Sequence, residues 1–594
     1  MSKKPYPLGA YAENNQITFR FASKAPSCGV FLYGKASGEK IKKISFGEED
    51  RIGNVYAKTI DDIDATKVSY LFYEGEQKVA DERARMFVEK FAYGEPRPTE
   101  SCKAGFVTEN FLWEEDKRPH IFYGDMFLYC MHVRGFTKHA SSGVVHPGTF
   151  AGIIEKISYL KRIGVTSIEL QPAYEFEDRN NYWGYIKGYY YTPKAAYAAS
   201  EDAVYEFKTL VKELHRNGLE LVMQFYFPKG IKKLEILEIL RFWVLEYHVD
   251  GFHLMGEDIP CDLLMEDECL ADTKLMYYGF DVGYMQGAKE SAKYPHLAEY
   301  NDGWYYDMRR FLRGDENSLS GVMYQMRHIP VCGGKIHYLS NYSGLTLADT
   351  FAYEYKHNEA NGEDNRDGSD YNCSSNCGVE GDTDREEVLA LRLQQIKNAF
   401  CLLFLSSSTP MIFMGDEFGN SQMGNNNPYC QDNEITWLNW DLLKRNKEIF
   451  DFFRNVVAFR REHSILRPEK ELYMRDYRGF GCPDLSYHGL EAWRPRTEMY
   501  HRYLGLMFFE KYSTGMGSGD STIFVAMNMH WEPHVFALPK APKGGKFRVA
   551  FTTAGGENTT RSEADVTAGE MVVGEDNLLT VPPRTIVVCL TERE

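Results

Sequence analysis

The chain has 594 residues, 43% hydrophobic and 26% charged, close to globular averages, which excludes disorder, collagen and coiled coil as descriptions of the whole. A formal charge of −17 repels phosphate backbones and anionic lipid heads, so neither nucleic acid nor membrane is an expected partner. The opening MSKKPYPL has no apolar signal core and no apolar run is long enough to span a bilayer, which predicts a cytoplasmic protein.

The first hundred-odd residues read as short alternating strands, at 17–21, 29–33 and 68–73, separated by Gly, Asn, Ser and Asp clusters. That pattern predicts an antiparallel sandwich. Beyond a stretch holding Pro96, Pro98 and Pro119 the rhythm changes, with strands at 126–133, 167–171 and 219–225 alternating with helices at 152–163, 201–217 and 231–247. Strand-like runs continue at 251–255, 273–278, 336–340 and 411–414, and a helix at 447–461 closes the series. Repeated βα units predict a parallel sheet wrapped by helices, and at this length a (β/α)8 barrel, with its remaining strand between Tyr278 and Ile336. From about Leu472 strands return, as at 522–527, 547–552 and 585–590. The expected domains are therefore 1–115, 116–468 and 469–594: sandwich, barrel, sandwich.

Aromatic residues make up 14% of the chain, which suits sandwiches and surfaces that stack on flat ligands such as sugars. The 12 cysteines follow no framework spacing and read as free thiols. Cys373 and Cys377 are the one close pair, and no second pair or His couple completes a zinc site, so neither metal nor cofactor is expected.

Specific motifs go further. Pro7-Leu8-Gly9-Ala10 ahead of strands resembles carbohydrate-binding module family 48, and the barrel resembles glycoside hydrolase family 13 in its isoamylase and bacterial glycogen-debranching branch. The segments that carry the likeness are 132–137 (HVRGFT), 148–150 (GTF), 181–185 (NYWGY), 356–370 (KHNEANGEDNRDGSD), 376–381 (NCGVEG), 415–419 (GDEFG) and 424–437 (GNNNPYCQDNEITW). The resemblance implies hydrolysis of α-1,6 branch linkages by a retaining mechanism. That chemistry needs two carboxyl groups about 5 Å apart, one nucleophilic and one acidic.

Position by position, those groups are replaced. Where the family has Asp-x-x-x-Asn-His on the third strand, this chain has Gln224 to Lys229. The fourth-strand Arg and nucleophilic Asp become His253 and Met255, and a thioether cannot form a glycosyl ester. The fifth-strand general acid becomes Tyr278, whose phenol, with an ordinary pKa of about 10, is poorly matched to neutral pH. The seventh-strand His-Asp pair becomes Tyr342 and Ser343. The family's long excursion after the third strand is also missing, since Lys229-Gly230 runs almost directly into a helix, which predicts a more open cleft.

Glu257, Asp258 and Asp281 lie just past these positions and read either as relocated catalytic carboxylates or as ordinary loop acids. Tyr182, Trp183 and Tyr185 read either as a platform for glucose rings or as rim packing. Residues 363–370 partly match a calcium loop through Asn365, Asp367 and Gly368, but lack the first Asp and carry Ser374 where the distal Glu belongs. The resemblance thus implies a debranching homologue without glycosidase activity. It would bind an α-glucan such as glycogen or branched maltodextrin, or pair with an active debranching enzyme or a second copy of itself. An active α-1,6-glucan hydrolase, or another carbohydrate-active enzyme, built on relocated carboxylates is the alternative.

Overall fold

Alternation at the N-terminus becomes burial in strand Gln16–Ala22, where Ile17 and Phe19 turn inward and their neighbours face outward. The computed structural model describes residues 7–13, 15–98, 102–107, 110–280, 294–513, 519, 521–555 and 572–591. Two four-stranded antiparallel sheets form the N-terminal sandwich. Phe19 meets Tyr70 edge-on at 5.3 Å and Phe21 stacks on Phe72 at 4.3 Å. Each such buried ring contributes about 1.5–3 kcal/mol relative to exposure.

Eight parallel strands close into a barrel, adjacent in chain order. They are β1 (Leu128–Met131), β2 (Ser167–Leu170), β3 (Glu220–Tyr226), β4 (Gly251–Met255), β5 (Lys274–Met276), β6 (Leu297–Tyr300), β7 (Gly334–His337) and β8 (Thr409–Phe413). The strand expected between Tyr278 and Ile336 is β6. Helices include α1 (Phe150–Arg162), α2 (Ala203–Arg216), α3 (Lys233–Tyr247), α4 (Asp302–Arg313), α5 (Glu386–Phe404) and α6 (Lys447–Glu462). Asp202 caps α2 by accepting from the Tyr205 amide, and Phe207, Leu210, Val211 and Leu214 form its buried stripe. Asn301 caps α4 in the same way, and Gly314, at φ +80°, ends it in the left-handed region that favours glycine. C-terminal to the barrel lie a five-stranded antiparallel sheet and a two-stranded one.

By contact density the chain divides into two compact units. The first comprises Met1–Pro119, His132–Ile157 and Leu170–Thr273; the second comprises His120–Met131, Ser158–Glu169 and Lys274–Glu594.

In the first unit, buried His215 on α2 has a carboxylate at each ring nitrogen: Asp116 at Nδ1 (2.9 Å) and Asp250 at Nε2 (2.9 Å). Arg118 and His248 face the same two acids. Burial opposes the charge, but hydrogen bonds and attraction from Asp250 and Asp116 outweigh it and raise the pKa above 6.5. A raised folded-state value stabilises the fold fully below the ordinary histidine pKa and loses that contribution as pH rises through the raised one. The urea midpoint is therefore expected to fall between pH 6 and the mildly alkaline range. His215→Gln should flatten that part of the profile, and an unchanged profile would refute the assignment.

Candidate functional site

The ends of β3 and β4 set the first part of the site. These strands pair in parallel with Gln224 opposite His253 and Tyr226 opposite Met255. Gln224 is fully buried, accepts from the Tyr185 hydroxyl, and that hydroxyl takes a bond from Gln171 Nε2 at 3.2 Å. Neutral amides and a phenol thus occupy the layer where the motif comparison puts a carboxylate. His253 and Met255 are half-buried. Gly256, at φ +138°, lets the chain press against the Phe227 carbonyl, where a Cβ would collide. Lys229 is exposed in the short connection to α3, which confirms that no long excursion follows β3.

Glu257 and Asp258 are exposed beyond β4, and Asp281 lies outside the described residues. Neither Glu257 nor Asp258 has a side-chain hydrogen bond or ion pair among the described residues.

The second unit, taken by itself, holds the ends of β5 and β7. The strand read at 273–278 is shorter than expected: β5 stops at Met276, and Tyr278 stands in a turn, 70% exposed, its ring tilted against Tyr277 at 4.6 Å. The cause is packing of its neighbours, since Tyr277 and Phe280 are buried edge-to-face at 5.8 Å and leave Tyr278 on the outside. Tyr342 is half-buried and Ser343 exposed past β7. Arg309 of α4 fixes this segment from beneath, donating to the carbonyls of Leu339, Leu345 and Asn372.

One pair escaped the sequence reading. Tyr300, at the end of β6, donates to Glu169 of β2, a carboxylate with no exposed surface. Burial and the adjacent Glu169 charge hold the Tyr300 phenol well above 10, so it remains a neutral donor. The available signal was a lone charge inside the apolar strand Ser-Ile-Glu-Leu.

The long motifs prove to be scaffold. Asn358 donates to the Asp367 carbonyl and to Asn426, while Asn426 donates to Asn372 and the Ser369 carbonyl. Asp367 Oδ2 takes amide protons from Asn361 (2.7 Å) and Asn427 (2.9 Å), and Asp370 pairs with Lys356. Among the described residues no three His, Cys, Asp or Glu groups are placed to hold a metal ion. Asp416 and Glu417 are likewise committed: Ser340 and two amides serve Asp416, while Tyr129, Tyr159 and the Gly415 amide serve Glu417. Burial pushes Asp416 up to about 6 and Glu417 up to about 7 despite those bonds.

Of the aromatic trio, Tyr182 and Trp183 are buried and offer no free face to a sugar. Tyr182 is stacked on His132 at 3.9 Å. Tyr185 is half-buried and spends its hydroxyl on Gln171 and Gln224.

A family model described as the α-amylase catalytic domain matches residues 88–228. The glycogen debranching enzyme of Pectobacterium carotovorum subsp. carotovorum (strain PC1) is 31% identical, the match spanning 62% of this chain and 67% of that one. The chain belongs to glycoside hydrolase family 13.

Within family 13, chloroplastic isoamylase 1 of Oryza sativa subsp. japonica is similar over still more of the chain, 28% identical across 91% of it and 80% of the relative. Apo pullulanase from Paenibacillus barengoltzii superimposes with a TM-score of 0.72 at 19% identity, covering 99% of this chain and 95% of that one, a likeness of fold. The likeness of fold thus covers nearly the whole chain, and within it Gln224, His253 and Met255 lie on β3 and β4.

Proposed function

We propose that this family 13 chain has lost glycosidase activity and serves α-glucan metabolism as a glucan-binding or regulatory subunit. The observation that carries the reading is Met255. It closes β4 half-buried, with Gln224 and His253 paired one step before it, and no nucleophilic oxygen occupies that set. Retaining hydrolysis through a glycosyl ester, which the resemblance implies, has no route without a carboxylate there. Relocation gains no support from Glu257 and Asp258, which are exposed in a loop.

The glucan is glycogen or a branched maltodextrin, and the protein partner is an active debranching enzyme or a second copy of the chain. Twelve free cysteines agree with a cytoplasmic setting. No helix among the described residues is long and apolar enough to cross a membrane.

Native electrophoresis through gels cast with glycogen tests the binding. Mobility should drop relative to a glycogen-free gel, by more than that of a non-binding reference protein. Equal mobility in both gels would reject the glucan reading and leave partner binding alone.

A further inference from the structure

In the first unit, residues 87–97 with Cys102 and the antiparallel pair Tyr174–Glu175 with Tyr189–Pro193 line a cavity of about 100 Å³ that opens to solvent. Four rings, Phe87, Phe91, Phe176 and Tyr189, supply its walls. Beneath them lies a compensated quartet of charges. Arg97 pairs with Glu175 and with Asp178 (3.4 Å), and fully buried Lys194 pairs with Asp178 (2.7 Å) and Glu175 (3.3 Å). The Arg97 side chain is 9% exposed, and its buried Nε has no acceptor among the described residues. At the edge, Glu89 is paired with Lys103, while exposed Glu177 offers a carboxylate that, among the described residues, accepts a hydrogen bond from the Arg179 amide alone (3.2 Å).

We propose that this cavity is a binding subsite for one uncharged, hydroxyl-rich ring of the glucosyl type. The proposal rests on the α-glucan reading above and gives it an address. Phe87, Phe91 and Tyr189 are half-buried, and their ring surface complements the C–H faces of a pyranose. The Glu177 carboxylate can accept hydroxyl protons from such a ring. Because the buried charges cancel in pairs, the floor does not demand an ionic ligand.

Cys102 lines the same cavity and provides a local reporter. Its labelling by N-ethylmaleimide, followed by peptide mass spectrometry, should slow about fivefold or more when maltotriose saturates the protein. Half-buried Cys261 and Cys269 serve as internal references and should not change. Phe91→Ala and Glu177→Ala should each weaken maltotriose binding about two- to tenfold, the range for losing one stacked ring or one charged hydrogen bond.

Glycogen retardation with no Cys102 protection would overturn this subsite and leave the glucan reading standing. Protection by maltotriose without glycogen retardation would do the reverse. Protection by tetramethylammonium but not by maltotriose would overturn the proposal in favour of a cation cage. Should either variant unfold, the labelling of the unaltered protein still decides.

Discussion

Incubated with glycogen or branched maltodextrin, the protein is expected to release no reducing ends above a buffer blank, a rate on the order of 10⁵-fold or more below that of an intact debranching enzyme. Losses of that size accompany removal of groups that act as one catalytic unit. The Met255 thioether has no carboxylate oxygen with which to form a glycosyl ester, and its neighbours Gln224 and His253 offer none either. The more demanding test is the Met255→Asp/Tyr278→Glu variant, which should also stay at the blank. Tyr278 lies two residues past the end of β5 and is 70% exposed, so a carboxylate there is aimed at solvent. A misplacement of even about 1 Å costs roughly 100-fold. Enzyme-like release by the unaltered protein would overturn the proposed function. Release by the variant alone would show instead that position 278 reaches the reaction centre.

Lys194→Met should destabilise the fold by about 3–5 kcal/mol, the range for breaking a buried ion pair from one side. Lys194 has no exposed surface and bridges Glu175 and Asp178, donates to the Phe176 carbonyl (3.0 Å), and lies 3.9 Å over the Phe176 ring. Burial pulls the lysine pKa below its ordinary value. Burial also opposes ionisation of Glu175, yet Lys194 and Arg97 outweigh it and hold that carboxyl below the usual range. Removing Lys194 leaves Arg97 to balance two buried acids. Urea unfolding of the variant measures the loss. A companion Lys194→Met/Asp178→Asn variant should recover part of it, because the quartet is then balanced again. A loss below about 1 kcal/mol in the single variant would show that water reaches and screens the quartet.

The barrel and both flanking sheet systems were legible from periodicity, since alternation over 16–22 and the amphipathic stripe of α2 are local patterns that burial enforces. The replacements behind the proposed loss of activity were also legible, because they depend on residue identity: Met255 remains a thioether wherever the strand carries it. Strand limits were less legible. The apolar run at 273–278 continues past the last ladder bond, and only the burial of Tyr277 and Phe280 turns Tyr278 outward.

The features that organise each unit join residues far apart in the chain. Arg97 meets Glu175 and Asp178, His215 lies between Asp116 and Asp250, and Tyr300 finds Glu169. None of these pairings has a local pattern, because an ionisable side chain is tolerated inside only if its partner arrives from another element. The amino-acid order by itself determined the architecture and placed a methionine at the end of β4. Tertiary structure alone decided which acids and aromatics are exposed, which are committed to one another, and where a cavity remains, because burial and charge compensation are set by packing between distant segments.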